Sequence, residues 1–259
     1  MNELARQFFK DFKQFRILND EKELNWNSLS STDLPRSWFE LSRLSASDRI
    51  SFVRDTWLNQ LPFDPVIHEK LASFFSVLEE ISIVLGQEKE GQPLSAEMVY
   101  SLAENRSFFR GLPPVDSDET FSSQEELGVS LPRDYFLFLQ IHNGFGKLSS
   151  LGLFPCENIA DMKRIVLEML LENREPLRSG LQRVDPDSLI PFYEEEGLLA
   201  FQCFFTDWYP GNEMGNIYLS GIDYKISDTS DWKSWRENLA FPTFLEWLSE
   251  YLQGMSLSL

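Results

Sequence analysis

The chain has 259 residues, 42% of them hydrophobic, with 22 Phe and 7 Trp. That much apolar side chain supports a substantial core and excludes a disordered protein. A formal net charge of −18 excludes affinity for nucleic-acid backbones and anionic membranes, and suits a basic partner.

The charge is uneven. Residues 1–112 carry 13 Lys+Arg and 17 Asp+Glu, whereas residues 113–259 carry 10 and 24, so most of the acidity lies in the second part. Cys156 and Cys203 stand beside apolar residues, which predicts free core thiols and a reducing, cytoplasmic setting. The N-terminal stretch MNELARQFFKDFKQF is charged throughout and lacks the apolar centre of a signal peptide. No segment approaches the roughly 18 apolar residues of a membrane helix.

The first part, residues 1–112, reads as an all-α helical region. Leu4, Phe8, Phe12, Phe15 and Leu18 recur at helical spacing and predict one apolar stripe. Ser37 to Leu44 is a short helix after Pro35. Ser47 can cap a helix carrying Ile50, Val53, Trp57 and Leu58. Asp64 and Pro65 open a longer one, with Ile67, Leu71, Phe74, Phe75, Leu78, Ile81 and Leu85 on its face and Gly86 beyond it. Ser95, Met98, Val99 and Leu102 suggest a fifth. The segment GLPPVDSD, residues 111–118, breaks the pattern with paired prolines. It places a boundary between residues 1–112 and 113–259.

The second part mixes helix and strand, which predicts an α+β domain. Ser122 or Ser123 can cap a turn that Gly128 ends. Pro132 opens a helix to about Ile141, stopped by Asn143-Gly144. Leu151 to Phe154 is a short strand, and Asn158 to Asn173 a helix. Leu189 to Phe192 is an edge piece because Pro191 cannot donate to a ladder. Leu198 to Phe205 is an apolar run of strand length. Asn216 to Ser220 and Tyr224 to Ile226 form a hairpin, and Pro242 opens a closing helix ended by Gly254.

Catalytic and metal patterns are sparse. His68 and His142 fall in different parts, and Cys156, Cys203 and His142 lack the local spacing of a metal site, so neither a metal nor a cofactor is expected. Glu194, Glu195 and Glu196 read as a solvated turn. Asp207 and Glu213 flank the loop DWYPGNEMGN, where carboxylates could serve acid–base chemistry, or only a polar turn. Trp208, Tyr209, Trp232 and Trp235 sit among Asp207, Asp228 and Asp231. Aromatic residues rimmed by carboxylates suit a basic protein partner, and equally suit a covered sheet.

Residues 125–146, EELGVSLPRDYFLFLQIHNGFG, resemble the first block of the SUKH superfamily, which includes yeast cell-wall regulators and bacterial toxin-immunity proteins. The resemblance rests on Glu125, Leu127, Gly128, Val129, Leu131, Pro132, Asp134, Tyr135, Leu139, Asn143 and Gly144. LGLFP, SLIPFY, GNEMGNIY and FPTFLEWLSEYL follow in the expected order, so it spans about residues 118–255. It implies an α+β fold, a mixed sheet with flanking helices, that binds proteins without catalysing a reaction. An immunity-type inhibitor of a basic toxin is the first expectation and a regulatory scaffold the second. An enzyme using the 207–213 carboxylates is the third. Tyr135, Asn143, Gly144 and Phe145 are expected to line one wall of a groove, with Asp207, Trp208 and Tyr209 on the other.

Overall fold

The computed structural model describes residues 1–29, 32–115, 124–173, 176–195 and 197–255. The chain divides into two compact units. One comprises Met1–Pro114 with Ile141–Leu151, the other Val115–Gln140 with Gly152–Leu259. The first unit thus takes a segment from beyond the single cut at 112/113 that the prolines suggest.

The first unit is not all-α. Its helices are α1 (Glu3–Phe9), α2 (Arg36–Leu41), α3 (Ala46–Gln60) and α4 (Pro65–Ser76). Its strands are β1 (Gln14–Ile17), β2 (Leu78–Gln87), β3 (Ser95–Leu102), β4 (Phe108–Gly111) and β5 (Phe145–Lys147), which pair in that order as an antiparallel sheet. The expected helix from Asp64 to Leu85 stops at Ser76, and its second half is β2; the expected helix at Ser95 is β3. Residues Ile81 to Gly86 are buried without interruption, so apolar spacing there matches a helical face and a doubly covered strand alike. The Leu4-to-Leu18 stripe likewise splits into α1 and β1.

Strand alternation explains the double cover. Val84, Val99 and Phe108 pack with Ala5 and Phe9 of α1 on one face. Tyr100, Phe109 and Phe145 meet Trp57 of α3 and Phe74 of α4 on the other. Asp64 caps α4 by accepting from the Val66 and Ile67 amides at 2.9 Å. Ser45, rather than Ser47, caps α3.

The second unit follows its expected elements closely. Its helices are α5 (Arg133–Leu139), α6 (Ile159–Glu172) and α7 (Phe244–Leu252). Strands β6 (Arg178–Ser179) and β7 (Gln182–Arg183) form a small hairpin. Strands β8 (Leu189–Glu195), β9 (Ala200–Phe205), β10 (Asn216–Ser220) and β11 (Lys225–Ile226) form a sheet of order β11-β10-β9-β8. Every described pairing is antiparallel, where a mixed sheet was expected. Pro191 lies on an edge strand, as its missing N–H requires. The expected strand at 151–154 reduces to one bridge between Leu153 and Tyr193. Ser122 and Ser123 lie outside the described residues.

The sheet of this unit is covered on both faces. Phe201, Cys203, Phe205, Ile217 and Leu219 pack with Val166 and Leu170 of α6. From the opposite face, Phe192 and Phe204 meet Tyr135 of α5 and Phe244 and Trp247 of α7. Cys156 and Cys203 are buried and outside any disulfide, and burial pushes the Cys203 thiol far above its ordinary range.

Candidate functional site

The LPRDYF segment carries much of the motif, and most of its side chains hold the fold. Pro132 precedes the first turn of α5. Asp134 is buried and bridges two elements: one carboxylate oxygen accepts from the Tyr135 amide at 2.9 Å, the other from the Leu245 amide at 2.9 Å. The second bond satisfies a buried donor at the start of α7 that has no partner within the helix. Burial, joined by the negative charge of Glu213, raises the Asp134 carboxyl to about 6.

Two of the expected wall residues are core instead. Tyr135 is fully buried and edge-packed against Phe204 and Phe244, with centroids 5.1 and 5.0 Å away. Phe145 is fully buried in the first unit and stacked on Phe109. Large aromatic side chains gain more from burial than any exposed wall offers, which overrides their reading as groove residues. Gly144 has φ 103 and supports the turn into β5. The Asn143 amide donates to Pro113 O at 3.1 Å within the first unit. Neither unit contains the expected groove by itself, because Tyr135 and Asp207–Tyr209 belong to the second and Asn143–Phe145 to the first.

The Tyr135 hydroxyl has no hydrogen-bond partner among the described residues. Burying an unsatisfied hydroxyl costs roughly 1–3 kcal/mol. Tyr135→Phe is therefore expected to leave stability unchanged or raise it by about 1 kcal/mol in urea denaturation. A loss of more than about 1 kcal/mol would show that the hydroxyl has a role in the fold.

The aromatic–acidic loops behave differently. Trp208 and Trp235 meet edge to face at 5.1 Å and pack partly buried against the α6 side of the core. Trp208 can fold back because residue 215 is glycine: a Cβ there would lie 2.4 Å from the indole ring. The Trp235 indole donates to Thr229 O at 3.0 Å, and Ser179 Oγ donates to Ser227 O at 2.9 Å, pinning the second loop to β6. Flanking this anchored pair, Tyr209 is 55% exposed and Trp232 is 70% exposed.

Asp207 and Asp231, on the same two loops, are exposed, and the Asp228 carboxylate lies against Gly180, the residue after β6. The Ser230 hydroxyl and amide hold the Asp228 carboxyl below its usual range. Lys233 lies over Trp232 at 5.8 Å. The packed Trp208–Trp235 pair is thus flanked in sequence by two exposed aromatic residues and by the exposed Asp207 and Asp231. A cleft of about 780 Å³ elsewhere in this unit is lined by Leu170, Leu177, Pro186 and Tyr224, and by neither Asp207 nor Glu213. No group of three or more potential metal ligands occurs among the described residues, and no helix among them is long and apolar enough to cross a membrane.

The model of the SMI1 / KNR4 family (SUKH-1) matches residues 114–250. The chain belongs to that family. No curated protein matches it. The SUKH-1 match starts at the end of the first unit's main segment, and it includes residues 141–151, which complete the first unit's sheet. Within the SUKH-1 region, Asp134, Tyr135 and Gly144 serve helix tethering, core and turn. The exposed chemistry lies on the 206–215 and 228–237 loops.

Proposed function

We propose that this SUKH-1 protein is a non-catalytic binding module whose Asp207–Tyr209 and Asp231–Trp235 surface engages a basic protein. An intracellular immunity role, in which the partner is a basic toxin, fits best. The observation that carries the reading is the pair of exposed rings, Tyr209 and Trp232, on two loops whose Trp208 and Trp235 pack together, with the exposed Asp207 and Asp231 adjoining them in sequence. Tyr and Trp anchors concentrate binding energy, and surrounding acidic charge speeds encounter with a basic surface. A cytoplasmic setting is consistent with two cysteines outside any disulfide.

The test compares the wild type with a Tyr209→Ala/Asp207→Lys double variant, matched for thermal midpoint, in capture from the native cell lysate. The wild type is expected to hold a discrete basic protein. Affinity for that purified protein is expected to fall at least about a hundredfold in the variant, the scale of one lost anchor plus a reversed charge. Equal affinity for both forms would remove this surface from consideration.

A further inference from the structure

The first unit carries a second site, built mainly from residues before 114. Between α1, the β2–β3 turn and β4 lies a cleft of about 610 Å³. Its apolar walls include Phe8, Phe12, Leu112 and Leu151. Gly86 sets the floor: a Cβ there would lie 2.9 Å from the Phe12 ring, so only glycine lets that ring lie against β2 unshifted.

A buried ion pair lines the cleft. Arg110 and Glu97 have side chains only 10% and 7% exposed. Arg110 Nη1 donates to both Glu97 oxygens at 3.1 and 2.9 Å, and Nη2 donates to Ser149 O at 2.6 Å. The Phe8 ring lies under the guanidinium at 4.6 Å. Nε is left without a hydrogen-bond partner among the described residues. A ring face favours the positive charge but supplies no lone pair, so a buried charged donor remains unsatisfied. Such a donor is costly, and because it is covered from solvent an acceptor from outside reaches it only as the surrounding side chains shift.

The cleft's charge limits what that acceptor can belong to. Arg110 is already balanced by Glu97, and Asp11 and Glu88 add two further carboxylates to the lining. Neither has an ion pair among the described residues. An anionic ligand would be repelled; a ligand with a neutral carbonyl and a nearby cation matches both features. Aromatic walls suit the methylene stem of a long basic side chain.

We propose that this cleft binds a basic peptide segment, a Lys or Arg side chain facing Asp11 and Glu88 while a backbone carbonyl accepts from Arg110 Nε. The site is separate from the Trp208 surface, and either can fail without the other.

The probe is acetyl-Gly-Lys-Gly-amide at millimolar concentration, titrated into the full chain while the Arg110 Nε–H resonance is followed by NMR. The lysine peptide is expected to move that signal. Its affinity is expected to fall about fivefold when norleucine replaces lysine, and by a similar factor in an Asp11→Asn/Glu88→Gln variant, the scale of exposed ion pairs. Both substituted residues are exposed, so folding is retained, and unchanged Arg110–Glu97 signals verify it. Three results would overturn the proposal: an unmoved Nε signal, binding of the norleucine peptide as tight as that of the lysine peptide, or unchanged affinity in the variant.

Discussion

Gly111→Ala is expected to destabilise the first unit by about 3 kcal/mol or more. A Cβ at this position would lie 2.4 Å from Nδ1 and 2.5 Å from Cγ of His142. That ring cannot move aside freely. Nδ1 faces Leu112 O at 2.9 Å, and a carbonyl only accepts, so Nδ1 carries the proton. Nε2 is then the acceptor for the Tyr100 hydroxyl at 2.6 Å. The ring is also stacked on Phe145 at 5.5 Å and edge-packed by Trp57. Making room breaks two buried hydrogen bonds and disturbs an aromatic cluster, so the overpacking and polar penalties add. Gly211→Ala is the matched control, since a Cβ there meets nothing within 4 Å. Urea denaturation should show a clear loss for the first variant and none for the second. Equal midpoints would mean that the His142 ring shifts at little cost.

The second large effect is a pair of opposed responses to acid. Burial lowers the His142 imidazole to about 4, below its ordinary value near 6.5. The folded first unit therefore binds fewer protons than the unfolded chain. The contribution of neutral His142 is complete above about pH 6.5 and is lost as pH falls toward about 4, a change of roughly 3 kcal/mol. Asp134 behaves oppositely, because its carboxyl is raised to about 6 from 3.8. Its contribution is complete below about pH 3.8 and is lost as pH rises through about 6, again on the order of 3 kcal/mol.

Hydrogen exchange on the full chain, corrected for intrinsic rates, separates the two units. Between pH 6.5 and pH 4.5, protection is expected to drop around β3 and β4 relative to β9 and α7. His142→Gln should reduce the pH response of the first unit, and Asp134→Asn that of the second. A parallel change in both units, untouched by either substitution, would show that neither buried group governs the acid response.

Legibility differed between the two units for a physical reason. In the second, punctuation sits at the element ends: Pro132 before α5 and Gly254 after α7. These residues constrain backbone angles locally, so the sequence alone locates them. In the first, β2 and β3 are covered on both faces, and continuous burial erases the two-residue alternation that marks a strand. Reading them as helix also hid the Arg110–Glu97 pair. These residues stand 13 apart in sequence and meet only because β3 and β4 pair side by side. The aromatic surface was half legible. Trp208 and Tyr209 stand out by their acidic, turn-forming neighbours, and Trp232 and Trp235 by theirs. Tyr135 and Phe145 were drawn into the expected site by motif position, yet side chains of that size in a well-packed unit fill its core.

The contribution of β5 to the first sheet makes chain order and spatial order disagree. Met1–Pro114 already contains four of the five strands, but Phe145–Lys147 pairs with β4 only after α5 has been made. During synthesis the first unit waits with an open β4 edge and without His142 to satisfy Tyr100. An excised fragment ending at Pro114 would keep both defects permanently, since an unpaired strand edge invites pairing with another chain. The smallest autonomous piece is accordingly not a contiguous half. Insertions or fusions placed between Pro114 and Ile141 lengthen a covalent link inside the first unit, and their entropic cost falls on that unit's closure.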